Sequence, residues 1–130
     1  MRLIRKLARP LLAWLFIHSG FDVYRNPGPR VGVAGPTLDR IRDAVPALPD
    51  DHALVRANAV VQVVAGGFLA VGAFPRLAAL GLACSLVPTT IGGHAFWDHD
   101  DPKQRAQQQL QFDKNLAILG GLLTVAAGRD

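Results

Sequence analysis

The stretch LAALGLACSLVPTTIGGHAFW, residues 77–97, decides the fold class, because its 21 residues include no Asp, Glu, Lys or Arg. A helix needs about 20 mainly apolar residues to cross a bilayer. Three further stretches of similar length are also mostly apolar: residues 7–24, 57–74 and 110–128. They lack the separate polar face of a helix in a soluble bundle. The sequence therefore predicts an all-α integral-membrane protein, a four-helix up-and-down bundle.

The composition agrees with this class of protein. Half of the 130 residues are hydrophobic and only 18% are charged, compared with about 25% in ordinary soluble domains. This length allows one domain, residues 1–130, and so much apolar surface excludes disorder. The single cysteine, Cys84, excludes an internal disulfide. We expect it to be buried in the third helix as an unreactive thiol.

The N-terminal segment imitates a signal peptide, because Arg2, Arg5, Lys6 and Arg9 precede an apolar run. No small-residue cleavage pattern follows that run, so we expect a retained signal-anchor helix with Pro10 at its start. With the N-terminus inside, the inner segments contain six basic residues and one aspartate. The outer segments contain eight basic residues and nine aspartates.

The positive-inside rule counts only Lys and Arg, and on that count the orientation is equivocal. The four basic residues crowded into the N-terminal arm favour a cytoplasmic location of both termini. The net charge of +4 is expected to meet anionic lipids of the bilayer. A nucleic-acid partner is not expected, because no basic helix with interleaved aromatic residues is present.

The connections between the predicted helices differ in kind. Residues 74–76 form a tight turn, whereas residues 25–56 form a long outer loop rich in proline and glycine. Thr37 is a good N-cap for a short amphipathic helix over residues 38–45. We expect this helix to lie on the outer membrane surface and cover the bundle, with partner docking as the alternative. Small residues on helices two to four allow close packing within the chain, with homo-oligomerisation as the alternative.

Polar side chains enter the apolar spans at one end of each helix. Residues four apart lie on one helix face, and successive helices run in opposite directions. The polar groups are therefore predicted to meet in a pocket in the extracytoplasmic half of the bundle, while the inner halves are apolar. The candidate ligand-binding residues are His18, Asp22, Asn58, Gln62, Thr90, His94, Asp98, Lys114 and Asn115.

Two interpretations of these residues remain open. They form either a hydrogen-bonded network that ties helix ends together, or a small-molecule site, because ionisable groups inside membrane helices are costly and usually functional. A quinone requires only a hydrogen-bond donor near the interface and an apolar channel. In that hypothesis His18 and His94 donate hydrogen bonds, while Asp22 and Asp98 fix their tautomers.

Other chemistry is weakly indicated. An opposed pair of His18 and His94 could hold a haem or a metal, but the residue spacing typical of such sites is missing. The sequence contains no ordered Ser-His-Asp set, P-loop or dinucleotide-binding glycine pattern, so it assigns no catalytic residue and no metal site. A permease function is disfavoured, because the inner halves offer no polar path.

Short segments spread over nearly the whole chain carry a family pattern. They are LFIHSG (15–20), Asn26-Pro27, VRAN (55–58), Gly66-Gly67, PTTIGGHAFW (88–97), Asp101-Pro102, Gln109 and FDKNLAILGGLL (112–123). This pattern resembles the DoxX family, and its most specific pieces are His94-Ala-Phe-Trp97 and the start of the last segment. A short tail after the fourth helix would be expected, whereas the chain ends at Asp130.

The resemblance implies a four-helix, multi-pass protein of the bacterial plasma (inner) membrane. It also implies a link to membrane redox processes, such as sulfur-compound oxidation coupled to quinone. We therefore expect an accessory or quinone-interacting subunit, with membrane or peripheral redox proteins as partners. A structural scaffold without its own ligand is the alternative. The resemblance implies no catalytic residues.

Overall fold

The computed structural model describes residues 1–128, which fold into α-helices connected by short turns and loops. The helices are α1 (Arg2–Arg25), α2 (Gly28–Ala44), α3 (Asp51–Val71), α4 (Pro75–Gly93) and α5 (Pro102–Ala127), with a 3-10 helix at Phe96–Asp98. No strand occurs among the described residues, so the predicted all-α class is confirmed. Arg129 and Asp130, which entered the cytoplasmic charge count, lie outside this range.

Three helices begin well before the apolar spans that predicted them. α1 begins at Arg2, which places Pro10 inside the helix rather than at its start. α3 begins at Asp51, and α5 begins at Pro102. Hydropathy marks where a helix is apolar, whereas caps decide where it begins. At α5, for example, the Asp101 side chain accepts a hydrogen bond from the Gln104 backbone N–H at 3.3 Å.

The helix in the first long connection is longer than predicted. A helix over residues 38–45 capped by Thr37 is wrong, because α2 begins at Gly28 with Pro27 as its N-cap residue. Pro29 lies in the first turn, where a proline costs no backbone hydrogen bond. The helix also continues through Pro36, so Thr37 lies in its interior. α2 packs against α3 and α4.

α1 and α3 pack closely in opposite directions through glycine contacts. Gly20 near the end of α1 faces Ala59 of α3, whereas Ile17, one turn earlier, faces Gly66. A Cβ atom at Gly20 would lie 2.9 Å from the Ala59 carbonyl oxygen, and one at Gly66 would lie 2.9 Å from Ile17 Cγ1. The close approach of α1 and α3 therefore depends on glycine, which has no Cβ atom, at both positions.

The turn from α3 to α4 uses left-handed backbone conformations. Gly72 has φ of 76° and Phe74 has φ of 46°. The Gly72 N–H bonds to carbonyls in the last turn of α3, and α4 begins directly at Pro75. So short a connection makes α3 and α4 antiparallel neighbours.

The described residues have an apolar interior, and many large apolar side chains are exposed as well. Phe16, Leu69, Leu82 and Leu122 are the largest fully buried side chains. Two segments, Asp51–Val71 and Pro75–Asp98, are long and apolar enough to cross a membrane by length and composition. In the part of the chain that the structure describes, α1 and α5 do not meet this criterion.

Cys84 is exposed, so the prediction of a buried thiol is wrong. It lies on the outward stripe of α4 with Leu80, Val87 and Ile91, which are exposed as well. Hydropathy cannot locate the inward face of a helix that is apolar on all sides. Here the inward face carries Ser85 and Thr90 instead.

Candidate functional site

A network of neutral polar side chains joins α3 to α4. The Asn58 side-chain N–H donates to Thr89 Oγ1 at 2.8 Å, and Ser85 Oγ donates to Asn58 Oδ1 at 2.6 Å. Gln62, one turn further along α3 and only 6% exposed, donates to the same Thr89 oxygen at 3.3 Å. Thr89 donates in turn to the Ser85 carbonyl at 2.9 Å. Spacing predicted Asn58 and Gln62 but missed the role of Thr89.

A second set of hydrogen bonds joins α4 to α5. Asn115 donates to Thr90 Oγ1 at 3.0 Å, and Thr90 donates to the Leu86 carbonyl one turn back at 2.7 Å. His94 Nδ1 lies 2.9 Å from Gln108 Oε1. An amide oxygen only accepts, so this contact requires His94 to donate from Nδ1.

The four other candidate residues lie apart from these hydrogen bonds: His18, Asp22, Asp98 and Lys114, all exposed. The His18 ring stacks on Trp14 with centroids 5.6 Å apart. Asp98 lies 3.5 Å from Arg40 Nη1 of α2. The predicted single helical face of Thr90, His94 and Asp98 is wrong, because α4 ends at Gly93 and Asp98 follows in the 3-10 helix.

A cavity of about 420 Å³ lies beneath α2, between it and parts of α1, α3 and α4. Its volume is within the range of about 300–1,000 Å³ that small-molecule sites occupy. Most of the lining is aliphatic, including Val23, Leu38 and Val55. The polar side chains in the lining are Ser19, Arg30, Asn58, Gln62 and Thr89. Two of the nine predicted residues, Asn58 and Gln62, thus line this cavity.

Sequence reasoning missed Arg30, the charged residue in the cavity lining. It is half-buried on α2, and its Nη1 would lie 2.9 Å from a Cβ atom at Gly93. Arg30, Ala34, Leu38 and Ile41 all line the cavity and are three or four residues apart. This helical periodicity is the available signal in the sequence, whereas the prolines and glycines of residues 25–37 predict a loop.

Ion pairs hold the far end of α2. Arg42 contacts Asp51 of α3 at 2.5 Å and Asp39 at 3.0 Å, and it donates to the Pro49 carbonyl at 3.1 Å. The hydrogen bond with Asp51, supported by the charge of Asp51 and its acidic neighbours, raises the pKa of the Arg42 guanidinium. α2 is therefore tied to α3 at this end and, through Arg40 and Asp98, to the segment after α4.

An aromatic cluster follows the end of α4. Phe96, Trp97 and Phe112 pack edge to face, with centroids between 5.2 and 5.9 Å apart, and this contact connects the 3-10 helix to α5.

Within residues 1–128, no three His, Cys, Asp or Glu side chains form a group that could hold a metal ion.

The fold and site define a class: an all-α protein with two apolar, membrane-length segments and a cavity of small-molecule size. The family model described as DoxX matches residues 4–95, so the chain belongs to the DoxX family. The predicted resemblance is thereby confirmed, although its segments after residue 95 lie outside the match. Family membership and the apolar helices identify a membrane protein. Comparison with curated proteins and with solved structures finds no match.

Proposed function

We propose that this DoxX-family protein is a multi-pass protein of the bacterial plasma membrane that binds a small, mainly apolar molecule. In this proposal α1, α3, α4 and α5 form a four-helix transmembrane bundle, and α2 covers its extracytoplasmic end. The cavity beneath α2 carries the proposal, because it combines an aliphatic lining with hydrogen-bond donors at one place.

The distribution of apolar surface supports the membrane assignment. Only 28% of the apolar window of α3 and 44% of that of α4 is buried. Leu77 is 71% exposed and Val64 is 51% exposed, while Gln62 and Ser85 are buried. Water would oppose this arrangement, because large contiguous apolar patches are rare on soluble monomers. Lipid solvates such a surface.

In this proposal α1 and α5 cross the membrane only as part of the bundle, because neither is apolar over the full thickness of the bilayer. The apolar part of α5, residues 116–127, covers about 18 Å at 1.5 Å per residue, less than the roughly 30 Å of hydrocarbon. Its polar first half is satisfied partly by α4, through Asn115 with Thr90 and Gln108 with His94. In α1 the long side chains of the N-terminal Arg and Lys residues can extend to the headgroups.

The narrower form of the proposal is a quinone-interacting accessory subunit of a membrane redox system. A quinone carbonyl accepts hydrogen bonds, and Arg30, Asn58 and Gln62 carry donors in the cavity lining. This assignment moves the donors from His18 and His94, which do not line the cavity, to these residues. The link to redox chemistry and to redox partners rests on the family resemblance.

The test compares two alanines of α3 that are both exposed. Ala57 lines the cavity and Ala53 does not. With the protein in nanodiscs, Ala57→Phe should weaken binding of a short-chain quinone analogue about tenfold or more, because overpacking typically costs about 1–3 kcal/mol. Ala53→Phe should bind like the unmodified protein. Equal binding by both variants would contradict the cavity as the site.

A structural scaffold is the second candidate, and one observation favours it. Among the described residues, no buried side-chain nitrogen or oxygen lacks a hydrogen-bond partner. The polar side chains between α3 and α4 thus satisfy each other's hydrogen-bonding groups without a ligand. If they act only in this way, Asn58→Leu lowers thermal stability and Ala57→Phe changes no ligand affinity.

A further inference from the structure

Arg30 differs from the other arginines of α2. Arg40 pairs with Asp98, and Arg42 pairs with Asp51 and Asp39. Arg30 lines the cavity, and no described residue accepts a hydrogen bond from it or forms an ion pair with it. Asp39, Asp51 and Asp98 are thus paired with Arg40 and Arg42 rather than with Arg30.

The surroundings of Arg30 are partly apolar, and no carboxylate within residues 1–128 forms an ion pair with it. Its guanidinium lies against the backbone of Gly93 at the end of α4, where the partial negative charge of the helix end favours a cation. This helix end supplies no hydrogen bond to Arg30 among the described residues. A half-buried cation without an anionic partner is unfavourable, and a guanidinium binds a carboxylate through two parallel hydrogen bonds.

The other polar groups of the lining indicate the charge of the ligand. Ser19, Asn58, Gln62 and Thr89 are neutral, so the cavity offers one positive charge together with neutral hydrogen-bonding groups. One carboxylate balances this charge, whereas a doubly charged phosphate would retain uncompensated charge next to the aliphatic lining.

We propose that the cavity selects a single-chain amphiphile with a carboxylate head, which Arg30 binds while the aliphatic lining covers the start of the chain. This inference rests on the proposed function, because it names the ligand class of the same cavity. It assigns to α2 the role of presenting a cation to molecules that enter from the outer leaflet.

The experiment measures binding of decanoate and of its methyl ester to the protein in nanodiscs, with empty nanodiscs subtracted. Arg30→Gln should weaken decanoate binding about tenfold or more, because a hydrogen bond to a charged group is lost, and it should leave ester binding unchanged. Arg25→Gln is the control, since Arg25 is exposed, stacks on Phe21 at 4.4 Å and does not line the cavity. Arg30→Lys should retain part of the decanoate affinity.

Several results would overturn the inference. The inference is wrong if Arg30→Gln binds decanoate as tightly as the unmodified protein does. It is also wrong if the unmodified protein binds the methyl ester as tightly as decanoate, or binds decyl phosphate more tightly than decanoate. If the quinone analogue binds and is blocked by Ala57→Phe, but decanoate binding is the same in Arg30→Gln as in the unmodified protein, the inference fails while the proposed function stands. If Ala57→Phe affects no ligand, the proposed function fails as well. Far-ultraviolet circular dichroism verifies that each variant is folded.

Discussion

At the scale of single residues, the glycines of this chain fall into two physical groups. At Gly20 an added methyl group would meet a backbone oxygen at 2.9 Å, and backbone cannot move aside as a flexible side chain can. At Gly67 nothing lies within 4 Å of the corresponding position. Both glycines lie inside helices and therefore have the same intrinsic helix propensity. They differ only in how closely neighbouring atoms pack against them.

This difference predicts opposite effects of the same substitution. Gly20→Ala should lower the free energy of unfolding by about 1–3 kcal/mol, because α1 and α3 must separate. Gly67→Ala should leave it unchanged or raise it by up to about 1 kcal/mol, because alanine is the better helix former. Thermal unfolding in detergent measures both, and equal melting temperatures would contradict the close approach of α1 to α3.

At the scale of helices, hydrogen bonds between side chains determine how α3 and α4 associate. Asn58 donates to Thr89 and accepts from Ser85, so its amide uses both of its functions at once. Apolar faces can pack in more than one register, whereas a hydrogen bond between side chains pairs particular residues. This network therefore specifies which residues of α3 and α4 lie opposite each other.

Replacing Asn58 tests this role of the network. Asn58→Leu should destabilise the protein by about 1–3 kcal/mol, because it leaves the Ser85 hydroxyl without its acceptor. Ser85→Ala removes the donor of the same bond. In a double-mutant cycle the combined variant should therefore lose less than the sum of the single variants. Strict additivity would show that the 2.6 Å hydrogen bond between them does not contribute.

The attachment of α2 is also decided at this scale. Arg42→Ala should accelerate amide hydrogen exchange in α2, because it removes the contacts with Asp51 and the Pro49 carbonyl. Asp43→Ala, an exposed change on the same helix, should not. Because the pKa of Arg42 is raised, its contribution is complete below the ordinary pKa of arginine, as long as Asp51 is ionised, and is lost as pH rises through the raised pKa. Exchange that is unaffected by Arg42→Ala would show that α2 is held by other contacts.

At the scale of the whole molecule, the exposed face of α4 predicts the environment of the protein. Cys84 is exposed beside Leu80 and Val87, which places it against lipid if α4 crosses the membrane. A membrane-impermeant maleimide should then leave Cys84 unmodified in native membranes and modify it after unfolding in dodecyl sulfate, because the lipid excludes the reagent. Rapid modification in intact membranes would contradict the spanning assignment of α4.

The orientation requires a second labelling experiment. In a Cys84→Ala background, Asp43→Cys on α2 should react with the impermeant reagent from outside the cell, and Arg2→Cys should react only after the membrane is opened. This follows from the four basic residues of the N-terminal arm, which favour the cytoplasmic side. The reverse pattern would invert the topology and place the cavity on the cytoplasmic side.

The sequence predicted the all-α class and the resemblance to the DoxX family. A spacing of four residues places polar groups on one face of a helix, which is why Asn58 and Gln62 are candidates, and both line the cavity. Arg30 was missed because prolines made its segment resemble a loop. His18 does not line the cavity, and spacing along one helix does not show which face packs against a neighbour.

By itself, the sequence determined the local properties of this protein. A long apolar segment without charges must be helical in lipid, because its backbone groups have no other partners there. Only the tertiary structure decided which faces meet, where α2 lies and which polar groups share a cavity. Those features arise from close approaches such as Gly20 against Ala59, between residues far apart in the chain. Their energies depend on distances that no local pattern encodes.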